Sequence, residues 1–243
     1  MKSQSPLDEP IPLMVHLIEL RKRLIYAAVA VVAGSVATYP LVDPFLRDLA
    51  RPMPFGQFIF ISPLEAFWSR IQLTLCLGAG VSLPFVLFQI WSFVQRGLLP
   101  RERNILFAVT FISFLLFVAG AAFCYYLVLP VGVKFLLAYG NEVMVPMISI
   151  SRYLAFVFGL LFAFGVVFEL PLVMGFLVKA GLLQVKTMRR QRRVAVVLIF
   201  IAAAALTPGP DVFSQILMAV PLLILYEFGI ITGDIIERRK LNG

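Results

Sequence analysis

Charged residues are scarce in this sequence and are gathered into short clusters. Asp, Glu, Lys and Arg make up 14% of the 243 residues, against roughly 25% in an ordinary soluble domain. Hydrophobic residues make up 61%, and Phe alone contributes 23. A soluble fold of this size could not hide so much apolar side chain from water. The composition excludes a disordered chain, a secreted disulfide scaffold and a typical cytosolic enzyme, and it predicts an all-α integral membrane protein.

Residues that could bind a metal, form a disulfide or act in catalysis are also few. The only histidine is His16, and Cys76 and Cys124 lie inside apolar runs without a C-x-x-C or metal-ligand spacing. We therefore expect no metal site and no structural disulfide. The H-E-x-x-H, G-x-S-x-G and G-x-x-x-x-G-K-[ST] motifs are missing from the sequence, although these are the usual signatures of metalloproteases, hydrolases and nucleotide-binding enzymes. We predict that the protein is not an enzyme and requires no cofactor.

Six apolar runs define the predicted membrane spans. They cover residues 24–42, 71–95, 105–129, 153–178, 194–207 and 212–230. The first four are long enough for a hydrocarbon core about 30 Å thick, and Pro130 is expected to end the third. The fifth and sixth are short and are separated by a tight turn that contains Pro208. They could form a re-entrant hairpin or two short crossing helices, and we favour two crossings because the charge pattern fits them.

The distribution of basic residues predicts the orientation. The net charge is +8, which in a soluble protein would suggest a nucleic-acid partner. With six crossings, 16 of the 21 Lys and Arg residues fall on the side that holds both termini. Basic residues collect on cytoplasmic loops during insertion. We therefore predict cytoplasmic N and C termini, one six-helix transmembrane domain over residues 1–243, and no nucleic-acid partner.

Glu169 is the residue within the apolar runs whose placement in the membrane costs the most free energy. It lies 16 residues after Tyr153 and 10 before Lys179, and an ionised acid at the membrane centre costs about 2.5–3.5 kcal/mol. Pro171 removes a helical hydrogen bond and leaves polar backbone beside it. Glu169 could contact a partner helix or a transported group, or it could bond to a neighbouring helix of the same chain. We favour the first because intramembrane acids usually have a function.

Two further acids lie at the predicted inner surface. Glu19 belongs to segment 13–24, whose leucines are spaced by three or four residues as on an amphipathic helix. It can pair with Arg23 or with His16 at helical spacing. Glu102 lies near the start of the third span, where the helix dipole favours an anion. A surface helix and a helix-start acid would also explain both residues without any function.

Four fragments of the sequence together resemble one protein family. They are HLIELRKR at 16–23, PLEAF at 63–67, FGVVFELP at 164–171 and LTPGPDVFSQ at 206–215. Their order, their spacing and the six-span plan resemble TatC, the multi-spanning receptor of the twin-arginine protein translocase, over nearly the whole chain. The resemblance implies a curved, glove-like bundle in the bacterial inner membrane, with short fifth and sixth helices.

The resemblance also implies a task. TatC-like proteins bind paired-arginine signal peptides at the cytoplasmic surface. With the single-span proteins TatA and TatB they form receptor complexes, in which we expect several copies of the chain. These complexes move folded proteins across the membrane, driven by the proton-motive force. The matching positions are Glu19, Glu102, Arg21 and Phe93 for the signal peptide, Glu169 and Pro171 for TatA, and Pro52, Pro208 and Asp211 for integrity and assembly. Asp211 is also explained as the N-cap of the sixth span.

The sequence departs from the family at the end of the second span. The family commonly has a proline two residues after the position of Phe93, where this chain has Gln95-Arg96-Gly97. Arg96 adds a positive charge near a site expected to bind a positive ligand. We expect Arg96 to point away from that site or to pair with Glu102.

Two other kinds of protein remain possible from the residues. Glu169 would also suit an ion-coupled small-molecule transporter. A passive subunit of a membrane complex would use all of these acids only for contacts between helices.

Overall fold

The computed structural model describes residues 13–50, 58–98, 103–138, 148–206 and 212–241, and most of these residues are helical. The helices are α1 Leu13–Thr38, α2 Val42–Ala50, α3 Pro63–Leu98, α4 Arg103–Phe123, α5 Leu129–Leu137, α6 Ile150–Phe168, α7 Leu170–Lys179, α8 Val185–Arg190, α9 Arg192–Leu206 and α10 Val212–Leu241. A 3-10 turn, Tyr39–Leu41, joins α1 to α2, and a π-helical segment, Cys124–Val128, joins α4 to α5. The all-α prediction is confirmed.

Five helical stretches within the described residues are long and apolar enough to cross a membrane. They are Met14–Ala50, Pro63–Val94, Leu106–Phe135, Ile150–Lys179 and Met218–Arg238. α9 has 15 residues and is about 22 Å long at 1.5 Å per residue, which is shorter than a hydrocarbon core. The six crossings and the cytoplasmic termini therefore stay predictions.

Large apolar side chains cover the outside of the bundle. Phe107, Phe111 and Phe162 are 62–68% exposed. Water would penalise such a surface, whereas lipid tails are as apolar as the side chains themselves. The exposed phenylalanines are therefore the expected lipid-facing surface of a membrane bundle.

The core is centred on α6. Leu154, Val157, Leu160 and Phe164 on this helix are at most 3% exposed. They belong to one buried cluster with side chains of α2, α3, the π segment, α5, α9 and α10, including Leu49, Leu73, Cys124, Val133, Ala203 and Leu222. α6 is thus the helix that contributes most to this buried cluster.

α1 and α3 cross at small residues. A side chain at Gly78 would overlap the backbone of Ser35, and one at Gly34 would meet Ser82. The Ser82 hydroxyl donates a 2.7 Å hydrogen bond to the Ala30 carbonyl across this contact. Membrane helices associate through such close packing because lipid provides no hydrophobic force between them. This contact fixes α3 beside α1.

The prediction that Pro130 ends the third span is wrong. The π-helical segment Cys124–Val128 widens the backbone before the proline. Pro130 then occupies the first turn of α5, which continues to Leu137. A proline is tolerated there because the first N–H groups of a helix need no intrahelical acceptor. The chain therefore remains helical from Arg103 to Leu137.

Glu65 connects two segments at the end of the bundle where α3 begins. Its carboxylate accepts hydrogen bonds from the backbone N–H of Ile61, at 2.7 Å, and from the Ser149 hydroxyl. Beside it, the Ile59 N–H donates to the Ile148 carbonyl and the Ile150 N–H to the Ile59 carbonyl, at 3.2 and 3.1 Å. One carboxylate thus joins the segment before α3 to the start of α6.

The opposite end of the bundle carries most of the described basic residues, and we call it the basic end. α7 ends at Lys179 and turns at Gly181, whose φ of 77° favours glycine. In the segment that follows, Arg189 pairs with Asp234 at 3.2 Å and Arg192 with Glu227 at 2.7 Å. These surface pairs connect α8 and α9 to α10.

Candidate functional site

Glu19 lies at the basic end, on the face of α1 that meets α3. Its Oε1 accepts hydrogen bonds from Nε and Nη2 of Arg23, at 2.9 and 2.7 Å. Nη1 of Arg23 reaches the side-chain oxygen of Gln89 on α3 at 3.1 Å. The predicted Glu19–Arg23 pair is confirmed. The contact with Gln89 adds a bridge between the two helices that the helical spacing could not predict.

An aromatic stack holds the same two helices together near Glu19. The rings of His16 and Phe93 lie 4.3 Å apart between centroids, at 27°. Phe93 is one turn beyond Gln89 on α3, so both side chains share one face of that helix. Arg21 is exposed nearby on α1. Glu19, Arg21 and Phe93 are thus brought to the same end of the bundle.

Several predicted site residues lie outside the described residues. These are Glu102, Pro52, Pro208 and Asp211. The expectations for Glu102 facing Glu19, for Arg96 and for the Asp211 cap therefore stay predictions. The described part of the site consists of one acid, its arginine and the aromatic stack.

Glu169 occupies the junction between two helices. α6 ends at Phe168 and α7 begins at Leu170, with Pro171 in its first turn. The break before Pro171 agrees with the expected effect of a proline, which cannot donate to the preceding turn. The Glu169 carboxylate is therefore placed where the backbone of this span changes from one helix to the next.

A hydrogen-bonded chain links Glu169 to two other helices. The Ser113 hydroxyl on α4 donates to Oε1 of Glu169 at 2.7 Å and accepts from the indole N–H of Trp91 on α3 at 2.9 Å. Oε2 of Glu169 is buried and has no hydrogen-bond partner in the part of the chain that the structure describes. The bond to Ser113 fits the expected contact within the chain, and the second oxygen retains acceptor capacity.

An apolar groove of about 600 Å³ runs beside this chain. Phe168 and Pro171, on either side of Glu169 in sequence, line it, together with Trp91. The rest of the lining comes mainly from α4, α7 and α10, including Val109, Ile112, Leu116, Phe176, Leu225 and Phe228. The groove offers an apolar segment a surface at membrane depth.

Three residues of these sites were missed by the sequence analysis, namely Gln89, Trp91 and Ser113. Each is an uncharged residue within an apolar run. Their roles depend on which helices are neighbours, and a single sequence gives no signal for that.

These features define a multi-spanning α-helical membrane protein with a polar site at its basic end and a buried acid at the junction of two helices. The family model of the Sec-independent protein translocase protein TatC matches residues 15–221. The chain therefore belongs to the TatC family. It is a subunit of a Sec-independent protein translocase and a multi-pass protein of the bacterial inner membrane.

Relatives and solved structures of the TatC family match this protein over nearly the whole chain. The TatC protein of Carboxydothermus hydrogenoformans is 41% identical over 238 residues, which cover 97% of this chain and 98% of the relative. That of Aquifex aeolicus is 36% identical over 235 residues, which cover 94% and 97%. A crystal structure described as the twin arginine translocase receptor TatC has a TM-score of 0.79 and 35% identity, and covers 91% of this chain and 99% of that one. The predicted resemblance to TatC is confirmed, and membership of this family favours a translocase subunit over the alternative of an ion-coupled transporter.

Proposed function

We propose that this subunit is the receptor that binds twin-arginine signal peptides at its basic end, through Glu19 and Glu102 with Arg21 and Phe93. The single observation that carries the proposal is the Glu19 carboxylate held between α1 and α3 at 19% side-chain exposure. A carboxylate that is partly desolvated and fixed in direction binds a cation better than a mobile surface acid does. The similar solved structures are themselves described as twin arginine translocase receptors.

Arginine suits such a site better than lysine. Its guanidinium is a planar fork that makes two parallel hydrogen bonds to a carboxylate, whereas the lysine ammonium acts as a point charge. Two carboxylates on separate elements, Glu19 on α1 and Glu102 before α4, would bind two successive arginines. Glu19 lies near the start of α1, at the basic end, and we propose that this end faces the cytoplasm, from which a signal peptide would arrive.

The apolar part of the signal, or a partner helix, would occupy the groove beside Glu169. The groove is lined almost entirely by apolar side chains, and Oε2 of Glu169 has no acceptor or donor contact among the described residues. A polar group on TatA would therefore find an acceptor at membrane depth, next to an apolar surface. TatB and further copies of this chain would complete the receptor complex.

The proton-motive force would supply the energy for translocation of the folded cargo. The sequence contains no phosphate-binding loop. A charge moved across the membrane gains about 2.3 kcal/mol per 100 mV. Movement of protons or of charged segments would therefore provide the work.

Crosslinking of peptides to the purified protein tests the receptor proposal. A photoreactive group replaces Leu20, which is 40% exposed beside Glu19. We expect a twin-arginine peptide to crosslink at least about tenfold more than its twin-lysine counterpart. Glu19→Gln should lower the affinity of the twin-arginine peptide about tenfold, since a hydrogen bond to a charged group is worth about 1.5–3 kcal/mol.

A second glutamate at the basic end provides the matched control. Glu227 forms a surface pair with Arg192 at 2.7 Å, so Glu227→Gln removes the same charge away from the proposed site. Equal crosslinking of the two peptides, or equal losses in Glu19→Gln and Glu227→Gln, would refute the receptor role.

A further inference from the structure

We propose that a cavity at the end of the bundle opposite the basic end binds one diacyl phospholipid, whose ester carbonyl accepts a hydrogen bond from the hydroxyl of Tyr153. This cavity shares no lining residue with the groove beside Glu169. The inference is independent of the receptor proposal, because it concerns the other end of the molecule.

The cavity has a volume of about 570 Å³ and lies between α2, the π segment, α5 and α6. Its volume is that of a site for a small molecule or one part of a larger ligand, and it is too small for a helix about 10 Å across. The walls combine apolar and polar side chains, among them Leu49, Leu129, Val133, Tyr125 and Tyr153. A ligand for this cavity therefore has an apolar part and a polar part side by side.

Tyr153 provides the unused polar group of the cavity. The residue is 5% exposed, and its hydroxyl oxygen is buried without a hydrogen-bond partner among the residues that the structure describes. The ring of Phe58 packs against that of Tyr153, with 5.2 Å between centroids. The Tyr125 hydroxyl, in contrast, already donates to Oδ2 of Asp48 at 2.7 Å. A buried hydroxyl without a partner costs free energy, so a ligand that brings an acceptor to Tyr153 recovers that cost.

The depth of Tyr153 in the bundle indicates which acceptor is available. Tyr153 is the fourth residue of the membrane stretch Ile150–Lys179, about 4–5 Å from its start at 1.5 Å per residue. Tyrosines are enriched at this level of a membrane because the ring is apolar and the hydroxyl is polar. The ester carbonyls of a diacyl phospholipid lie at the same level, between the headgroup and the acyl chains. They accept hydrogen bonds and adjoin an apolar chain, as the walls of the cavity require.

The π segment forms the entrance to the cavity. Tyr126 is 78% exposed, whereas the other lining residues are buried or partly buried. Its ring lies perpendicular to that of Tyr125, with 5.1 Å between centroids. The cavity therefore opens beside Tyr126, where a lipid of the surrounding leaflet can enter. Irregular π turns within helices are frequent at functional sites, and here the turn brings two consecutive tyrosines to one cavity.

Two substitutions and two lipids test the proposed hydrogen bond. Tyr153→Phe removes only the hydroxyl. The matched control is Tyr226→Phe, which removes a hydroxyl that donates to the Met188 carbonyl at the basic end, at 2.9 Å. The probes are diacyl phosphatidylethanolamine and its dialkyl ether analogue, which has the same headgroup and chain length but no ester carbonyl. Native mass spectrometry of the full-length protein in detergent measures the dissociation constant of the first bound lipid.

We expect the wild type to bind the diacyl lipid about fivefold more tightly than the ether lipid, which is the value of one neutral hydrogen bond. Tyr153→Phe should bind both lipids equally, with the affinity that the wild type has for the ether lipid. Tyr226→Phe should keep the fivefold preference.

Thermal unfolding without added lipid checks that the hydroxyl has no partner within the protein. Tyr153→Phe should then be at least as stable as the wild type, because it removes a buried group that is unpaired. Tyr226→Phe should be less stable, because it leaves the Met188 carbonyl without its donor. A wild type that binds the two lipids equally, a preference for the diacyl lipid that persists in Tyr153→Phe, or a clear decrease in the Tm of Tyr153→Phe would each overturn the inference.

Discussion

Replacement of Ser113 by alanine should remove the hydrogen bond to the buried Glu169 carboxylate and so destabilise the protein. Ser113 is fully buried, and its hydroxyl is the single atom between the Trp91 indole and the Glu169 carboxylate. Alanine removes this atom and leaves a cavity of less than one methyl group. The change therefore tests the polar chain and hardly alters the packing.

The expected decrease in the free energy of unfolding is large for the removal of one hydroxyl group. The bond from Ser113 to the Glu169 carboxylate is worth about 1.5–3 kcal/mol if the acid is ionised and about 1 kcal/mol if it is neutral, and the Trp91 donor also loses its acceptor. We expect a total of about 2 kcal/mol. In a chain of this length that corresponds to a decrease in Tm of about 4–8 °C. Thermal unfolding of the detergent-solubilised protein measures it.

Ser35→Ala is the matched control. Ser35 is 6% exposed, and within the described residues its hydroxyl donates to the Val31 carbonyl of its own helix, at 2.8 Å. Because that carbonyl already belongs to the helical ladder, the substitution should lower the Tm by less than about 2 °C. If Ser113→Ala and Ser35→Ala decrease the Tm by the same amount, the polar chain does not stabilise the bundle.

Three further results are expected. Glu169→Ala should retain peptide binding but reduce crosslinking to TatA and export of a twin-arginine substrate, whereas loss of peptide binding alone would contradict the proposed partner contact. Gly78→Ala should destabilise the protein by about 1–3 kcal/mol, because a methyl group there overlaps the backbone of α1. Gly80→Ala, with open space around it, should not; equal Tm values for the two would refute the close crossing. Glu65→Gln should speed trypsin cleavage at Arg152, since the carboxylate fastens the start of α6, and unchanged cleavage would show that it does not.

Most of the fold could be predicted from length and composition, since lipid imposes helices on any long apolar run. The Glu19–Arg23 pair was also predictable, because i and i+4 positions are neighbours on every helix. The same local rule could not predict that Gln89 would hold Arg23 from another helix. That contact depends on the α1–α3 crossing, which small residues such as Gly78 fix.

Pro130 shows how a local rule fails. Proline ends a regular helix because it removes an N–H and collides with the preceding turn. Here five π-helical residues precede it and provide the extra room, so that Pro130 opens a new helical segment. The sequence signal was correctly identified as a disturbance of the helix. Its consequence depended on the π segment, whose sequence, Cys124–Val128, is apolar and has no distinguishing pattern.

The final turns of α3 serve both candidate sites at once. Gln89 and Phe93 are four residues apart and lie on one face, where they hold Arg23 and His16 of α1. Trp91 lies about 200° around the helix from Gln89 at 100° per residue, and there it bonds to Ser113 of the Glu169 chain. One short stretch of helix thus has the proposed signal site on one side and the buried acid on the other. Any shift or rotation of this stretch when a peptide binds must change the contacts on both sides together.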